Sequence, residues 1–381
     1  MQKTLTTTAL GLLAVLGLSG AATADIVLGA SVSATGPAAF LGDPEAKTLE
    51  MMVEALNAKG GINGEQVKLV LYDDGGDPNK ARTFATRLVE DDEAVAIIGG
   101  STTGTSMSIL DVTEDAEVPF ISLAGAIDII DPVKPYTFKT PHTDRMACQK
   151  IFEDMQKRGF TKIGMISGTD GFGASMQAQC KAVAGDHGIE IVADETYDPK
   201  DADMTAQLTK IKNAEGVQAV LNPGFGQGPS IVTRNFRQLA IDLPLYQSHG
   251  VASDGFIELA GADAAEGVRL PGTALLVADL LPEGDPQKPV VTAYKTEFEA
   301  KTGTSVGTFG GYAHDAFLIL TDAITRAGSA EPAAIRDAIE QTKGLAGTTG
   351  IYTFSPEDHL GLDLSAFRML EIKGGTWTLV E

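Results

Sequence analysis

Residues 97–105 read IIGGSTTGT. An apolar run at 94–98 ends in two glycines, hydroxyl side chains follow at Ser101, Thr102, Thr103 and Thr105, and a helix-like run occupies 107–117. A strand that breaks at glycine and restarts as a helix is the unit of a parallel α/β sheet, because a parallel strand needs a crossover to return. The turn also has a chemical meaning. The first N–H groups of a helix lack partners within it and carry the positive end of its dipole, and glycine lets a ligand reach the backbone. Two readings of the hydroxyls stand side by side: they cradle an anion, or they only cap the helix.

The same rhythm extends in both directions. Strand-like runs at 26–30, 67–72 and 119–122 accompany helix-like runs at 44–59 and 77–91. Asp43-Pro44 and Asp77-Pro78 each read as an N-cap followed by proline at the first helical position. Residues 131–144, DPVKPYTFKTPHTD, interrupt with three prolines. A second series then runs through strands at 163–167, 189–193, 219–222 and 245–248, with helices at 171–187, 205–214 and 227–239. Helices dominate 289–342, and 367–380 reads as a hairpin turning at Gly374-Gly375. Two doubly wound α/β units imply two lobes with ligand sites beyond the carboxyl ends of their strands, where 99–105 lies.

The first residues carry an address. Lys3, an apolar stretch at 9–18 and Ala22-Thr23-Ala24 follow the order of a secretory signal peptide, which predicts a periplasmic chain beginning near Asp25. The net charge of −22 argues against nucleic acid, whose phosphates need a basic face. Two cysteines in an oxidising compartment, Cys148 and Cys180, suggest one bridge between helices flanking a strand, or else two separately buried thiols.

Enzymatic motifs fail one by one. The five histidines have no metal-ligand spacing, and no phosphate-binding loop occurs. GFGQG at 224–228 has Pro229 where a dinucleotide fingerprint needs its third glycine. GTSVG at 303–307 follows a charged helix and not a strand, so Ser305 reads as a loop serine. No catalytic residue, metal or cofactor is expected.

Five stretches in order, ATGPAAFLGDPE (34–45), NAKGGINGEQVKLVLYDDGGDPNKA (57–81), IIGGSTTGT, VPFISLAGA (118–126) and YTFKTPHTD (136–144), resemble the periplasmic substrate-binding proteins of ABC transporters of the branched-chain amino-acid type. The resemblance covers essentially the whole chain after the signal segment. It implies two Rossmann-like lobes of the type I periplasmic binding protein fold, with an interlobe cleft and crossings near Thr140, Pro271 and Thr349. Lobe 1 would comprise 25–141 with 272–350, lobe 2 142–271 with 351–381, and the signal peptide 1–24. A monomer that hands a small carboxylate to a membrane permease is implied.

The resemblance also implies a site. Ser101, Thr102 and Thr103 would hold a carboxylate, helped by the loop Ala124-Gly125-Ala126, where Ala126 replaces a family threonine. Phe40 and Leu41 would cover the ligand's side chain. Phe172 and Phe225 stand where tyrosines are usual, and His249, followed by Gly250, stands where amino-acid binders carry the acid that pairs with the α-ammonium. A histidine cannot supply that pairing. Its alternative reading is a strand-end histidine bonded to a neighbour. The departures favour an aromatic or branched aliphatic acid without an α-amino group. The alternatives are a branched-chain amino-acid receptor using Asp144, Asp170 or Asp254 for the ammonium, and a ligand-sensing partner of a membrane receptor.

Overall fold

The computed structural model describes residues 25–380, and the signal peptide expected at 1–24 lies outside them. Strands β1 (Ile26–Val32), β2 (Val67–Asp73), β3 (Ala96–Gly99), β4 (Phe120–Ser122) and β5 (Thr137–Lys139) form a parallel sheet in the order β2-β1-β3-β4-β5. Leu28, Ala30, Ile97, Phe120 and Ile121 are fully buried, as strands covered on both faces require. Helices α1 (Ala39–Ala58), α2 (Pro78–Glu90) and α3 (Thr103–Asp115) make the crossovers. The proline-rich stretch that breaks the rhythm contains β5, a strand too short and too polar to register in the pattern.

α1 corrects one expectation. It begins at Ala39, so Pro44 lies inside the helix instead of starting it. Pro44 cannot bond the Phe40 carbonyl one turn back, a defect that local sequence disfavours. Packing overrides it: Gly42 lies so close to β1's exit that a Cβ there would sit 2.2 Å from the Ser33 carbonyl carbon. Asp43 pairs with Lys47 at 2.7 Å instead of capping. At Asp77-Pro78 the same pattern does start a helix, with Asp77 accepting from Asn79 N at 2.8 Å and Lys80 N at 3.3 Å.

The second unit holds α4 (Asp144–Lys157), β6 (Lys162–Gly168), α5 (Gly171–Ala184), β7 (Glu190–Tyr197), α6 (Thr205–Lys212), β8 (Ala219–Asn222), α7 (Gln227–Gln238), β9 (Leu245–Gln247), α8 (Asp254–Ala260), α9 (Ala262–Ala265) and β10 (Arg269–Gly272). Then follow α10 (Lys288–Thr302), α11 (Thr308–Ala327), α12 (Pro332–Glu340), a small ladder of β11 (Leu345–Ala346) and β12 (Ile351–Tyr352), and the hairpin β13 (Arg368–Lys373) and β14 (Thr376–Leu379). That hairpin joins the second sheet, whose order is β14-β13-β10-β9-β8-β6-β7. α11 returns to the first sheet, packing on α1 and β3. Cys148 on α4 and Cys180 on α5 form a disulfide, with Cα atoms 5.1 Å apart.

Residues 351–360, assigned above to lobe 2, pack instead on β5. The Phe354 ring meets Phe138 edge-on at 5.8 Å, and His359 Nδ1 lies 2.8 Å from the Thr137 carbonyl oxygen. Tyr352 donates to the Thr140 carbonyl at 3.0 Å. We therefore propose moving the third crossing from Thr349 to about residue 363.

Candidate functional site

The strand orders place the site. Each sheet reverses its winding next to its first strand, β1/β3 in one and β6/β8 in the other, and loops leaving the carboxyl ends there spread apart to form a crevice. The two crevices face each other and line a partly open cavity of about 40 Å³. Lobe 1 lines it with Leu41, Ser101, Thr102, Thr103, Leu123, Ala124, Gly125, Phe309 and Tyr312; lobe 2 gives Phe172, Phe225, His249 and Gly250; Pro141 comes from the first crossing.

The hydroxyl turn divides its labour. Thr102 is the N-cap of α3: its hydroxyl accepts from Thr105 N at 3.2 Å and lies 3.0 Å from Thr105 Oγ1, a closed capping box. Ser101 is committed too. It accepts from Ser33 N at 2.9 Å and donates to Glu45 Oε2. Of the hydroxyls in this turn, only that of Thr103 is buried with no protein partner. The turn thus divides between its residues: Thr102 caps the helix, and the Thr103 hydroxyl is left without a protein partner.

Glu45 lies behind Ser101, fully buried. Burial is the main cause that pushes its carboxyl up to about 8, opposed by the Ser101 hydrogen bond and reinforced by Asp74. At neutral pH it is largely an uncharged acid.

On the facing lobe, the Ser248 hydroxyl accepts from Gly250 N at 3.1 Å and donates to the Gly224 carbonyl, which ties the His249 turn to the Phe225 loop. His249 is 3% exposed and its Nδ1 has no partner, so it is not bonded to a neighbour through that atom. Burial, with Lys139 adding, pulls its titration down to about 3, and the ring is neutral. It meets Phe172 edge-on at 5.3 Å. Gly125 makes the lobes' close approach possible: a Cβ there would sit 2.7 Å from Phe172 and 2.9 Å from His249 Nε2.

Phe40 stands one layer behind the wall, against Phe225 at 6.1 Å and Phe309 at 5.6 Å, and does not line the cavity. Ala126 is buried beneath the loop and does not line it either. Three aspartates considered above for an ammonium are elsewhere engaged. Asp144 accepts from Ile127 N at 3.1 Å, Arg145 N at 2.9 Å and the Ser175 hydroxyl. Asp170 caps α5 through Phe172 N and Gly173 N, each at 3.0 Å. Asp254 accepts from the Trp377 indole at 3.1 Å. None lines the cavity.

Sequence reasoning missed Leu123, Pro141, Phe309 and Tyr312. Phe309 and Tyr312 sit one turn apart at the start of α11, so both point the same way. The Tyr312 hydroxyl is buried without a partner. A signal existed in the glycine pair between them, Gly310-Gly311, which lets α11 press on neighbouring side chains: Cβ atoms there would fall 2.4 Å from the Tyr294 hydroxyl and 2.7 Å from Thr348.

The assembled site offers unpaired hydroxyls, a neutral imidazole, the N-terminus of α3 and aromatic walls. It has no nucleophile paired with a base. Comparison with known proteins agrees. Residues 25–376 match the periplasmic binding protein family. The leucine-, isoleucine-, valine-, threonine-, and alanine-binding protein of Pseudomonas aeruginosa is 28% identical over 307 residues, 80% of this chain and 79% of that protein. An extracellular ligand-binding receptor from Rhodopseudomonas palustris HaA2 superposes with a TM-score of 0.87 at 30% identity, covering 94% of this chain and 100% of that one. An ABC-transporter solute-binding protein from R. palustris in complex with benzoate superposes with a TM-score of 0.80 at 21% identity, covering 94% and 96%, a likeness of fold alone. The chain belongs to the periplasmic binding protein family, as a non-catalytic solute receptor of the ABC-transporter type.

Proposed function

We propose that this receptor binds a small organic carboxylate without an α-amino group, aromatic or branched aliphatic, in the periplasm, and delivers it to a membrane permease. One observation carries this reading: the cavity is lined by no acidic side chain. An α-ammonium buried there would have no charge partner, and an unpaired buried charge costs several kcal/mol. A carboxylate finds the Thr103 hydroxyl, the N-terminus of α3 and the His249 imidazole. Leu41, Phe172, Phe225 and Phe309 suit an apolar body.

The second reading, a branched-chain amino-acid receptor, is favoured by what the P. aeruginosa relative is named for binding. Calorimetry with benzoate and with leucine separates the two. Benzoate should bind more tightly than leucine, and His249→Glu should weaken benzoate by placing a like charge beside it. Tight leucine binding with no response to benzoate or to branched aliphatic acids would overturn the proposal.

A further inference from the structure

A buried carboxylate needs a compensating charge, and no lysine or arginine lines the cavity. One stands directly behind it. Lys139, at the carboxyl end of β5, is fully buried, and its ammonium reaches under the 124–126 loop. Nζ donates to the carbonyls of Gly125 at 2.9 Å, Ala126 at 3.2 Å and His142 at 3.4 Å. Gly125 lines the cavity on its other side.

Resting on the carboxylate reading above, we propose that Lys139 is the positioning residue that neutralises the ligand's charge through this loop, so that wherever its amine is uncharged in the empty site the receptor takes up its ligand together with a proton. The geometry supports this in two ways. Three carbonyls satisfy the ammonium's three donors but bring no negative charge. The one carboxylate that acts on it, Asp144, makes no ion pair with Lys139 among the described residues, and its oxygens are held by Ile127 N, Arg145 N and Ser175. The cation is therefore hydrogen-bonded yet under-compensated, which is the state a bound anion would complete.

Burial is the main influence on Lys139 and pulls it down to about 7, with Asp144 opposing. The two histidines facing it are both held below their ordinary value. His249 is held down to about 3, and His142, buried and stacked on Phe367 at 3.6 Å, lies well below its ordinary value, with Arg368 beyond it. Asp144 is displaced upward, chiefly by burial. Linkage then fixes the sign. Below about 7 the ammonium is already formed and binding moves no proton. Above it the empty site is largely uncharged, and a carboxylate across Gly125 draws a proton from solvent onto Nζ, so affinity falls as pH rises.

The test is calorimetry of the full chain with benzoate at about pH 6 and about pH 8.5, in buffers of different ionisation enthalpy. Expected are no proton uptake at the lower pH, uptake approaching about one proton at the higher, and an affinity loss of up to about tenfold per pH unit above neutrality. Lys139→Arg, whose charge does not titrate, should bind without uptake and without the slope; Lys139→Met should bind weakly at both pH values. The wild-type measurement needs no variant to fold. Equal affinity at both values with no proton uptake overturns the role of Lys139 while leaving the carboxylate reading intact. Absence of binding by benzoate and by branched aliphatic acids at both values overturns that reading and this one with it.

Discussion

Replacing Thr103 by valine should separate recognition from folding. The Thr103 hydroxyl is buried and has no partner in the protein, while the neighbouring Thr102 hydroxyl is spent on the α3 cap. Valine keeps the shape of threonine and removes only the hydroxyl. If that hydroxyl donates to a ligand carboxylate, its loss costs a charge-assisted hydrogen bond, about 1.5–3 kcal/mol, or roughly a 10- to 150-fold weaker Kd. The empty protein should be unharmed or slightly firmer, because an unpaired buried hydroxyl is itself unfavourable by about 1 kcal/mol. Thr102→Val should do the reverse. It opens the capping box and costs about 0.5–2 kcal/mol of stability with little change in affinity. Calorimetry with the same acid, paired with thermal denaturation of the empty variants, reads both quantities. The reasoning is refuted if Thr103→Val binds like wild type, or if the two variants lower the midpoint equally and weaken binding equally.

The Cys148–Cys180 bridge should make the chain refractory to alkylation without reductant, and uptake of two alkyl groups under those conditions would refute it; replacing both by alanine should cost about 2–4 kcal/mol. Glu45 sets a pH trend. Its carboxyl titrates at about 8 when folded against an ordinary 4.5, so folding favours the protonated form and stability should decline as pH rises through that interval. Glu45→Gln should flatten the decline, and a chemical-denaturation series across that range that is unchanged by the substitution would contradict the burial assigned to it.

What was legible in the sequence is what depends on local chemistry. The glycine break after β3, the Asp77 cap and the terminal hairpin each announce themselves within a few residues. The cavity was legible in part, through the chemistry of the hydroxyl turn and, by family resemblance alone, through the loops bearing Gly125, Phe172, Phe225 and His249. The remainder turns on contacts between distant residues. Pro44 marks a helix start in isolation, yet the fit of Gly42 against Ser33 carries the helix past it. Ser101 looks as available as Thr103 until Glu45, 56 positions away, occupies its hydroxyl. Tyr312 comes to the cavity from the far end of the chain, and Lys139 is an ordinary lysine in the sequence that only tertiary packing strips of water. Phe40 and Ala126 fall one layer short of the cavity because the residues next to them, Leu41 and Gly125, take the places facing it.

The return of α11 to the first sheet bears on when the protein can fold. All five strands of that sheet have been synthesised by Lys139, but the helix that packs with α1 over one of its faces ends only at Ala327. Until then Ala316, Phe317, Ile319 and Leu320 are missing from the core, and an α/β sheet with one face incompletely covered has not buried enough apolar surface to hold together. The earliest part of the chain to be made is thus among the last to become rigid. This delay built into the order of its segments keeps the leading part loose while the tail is still being translated.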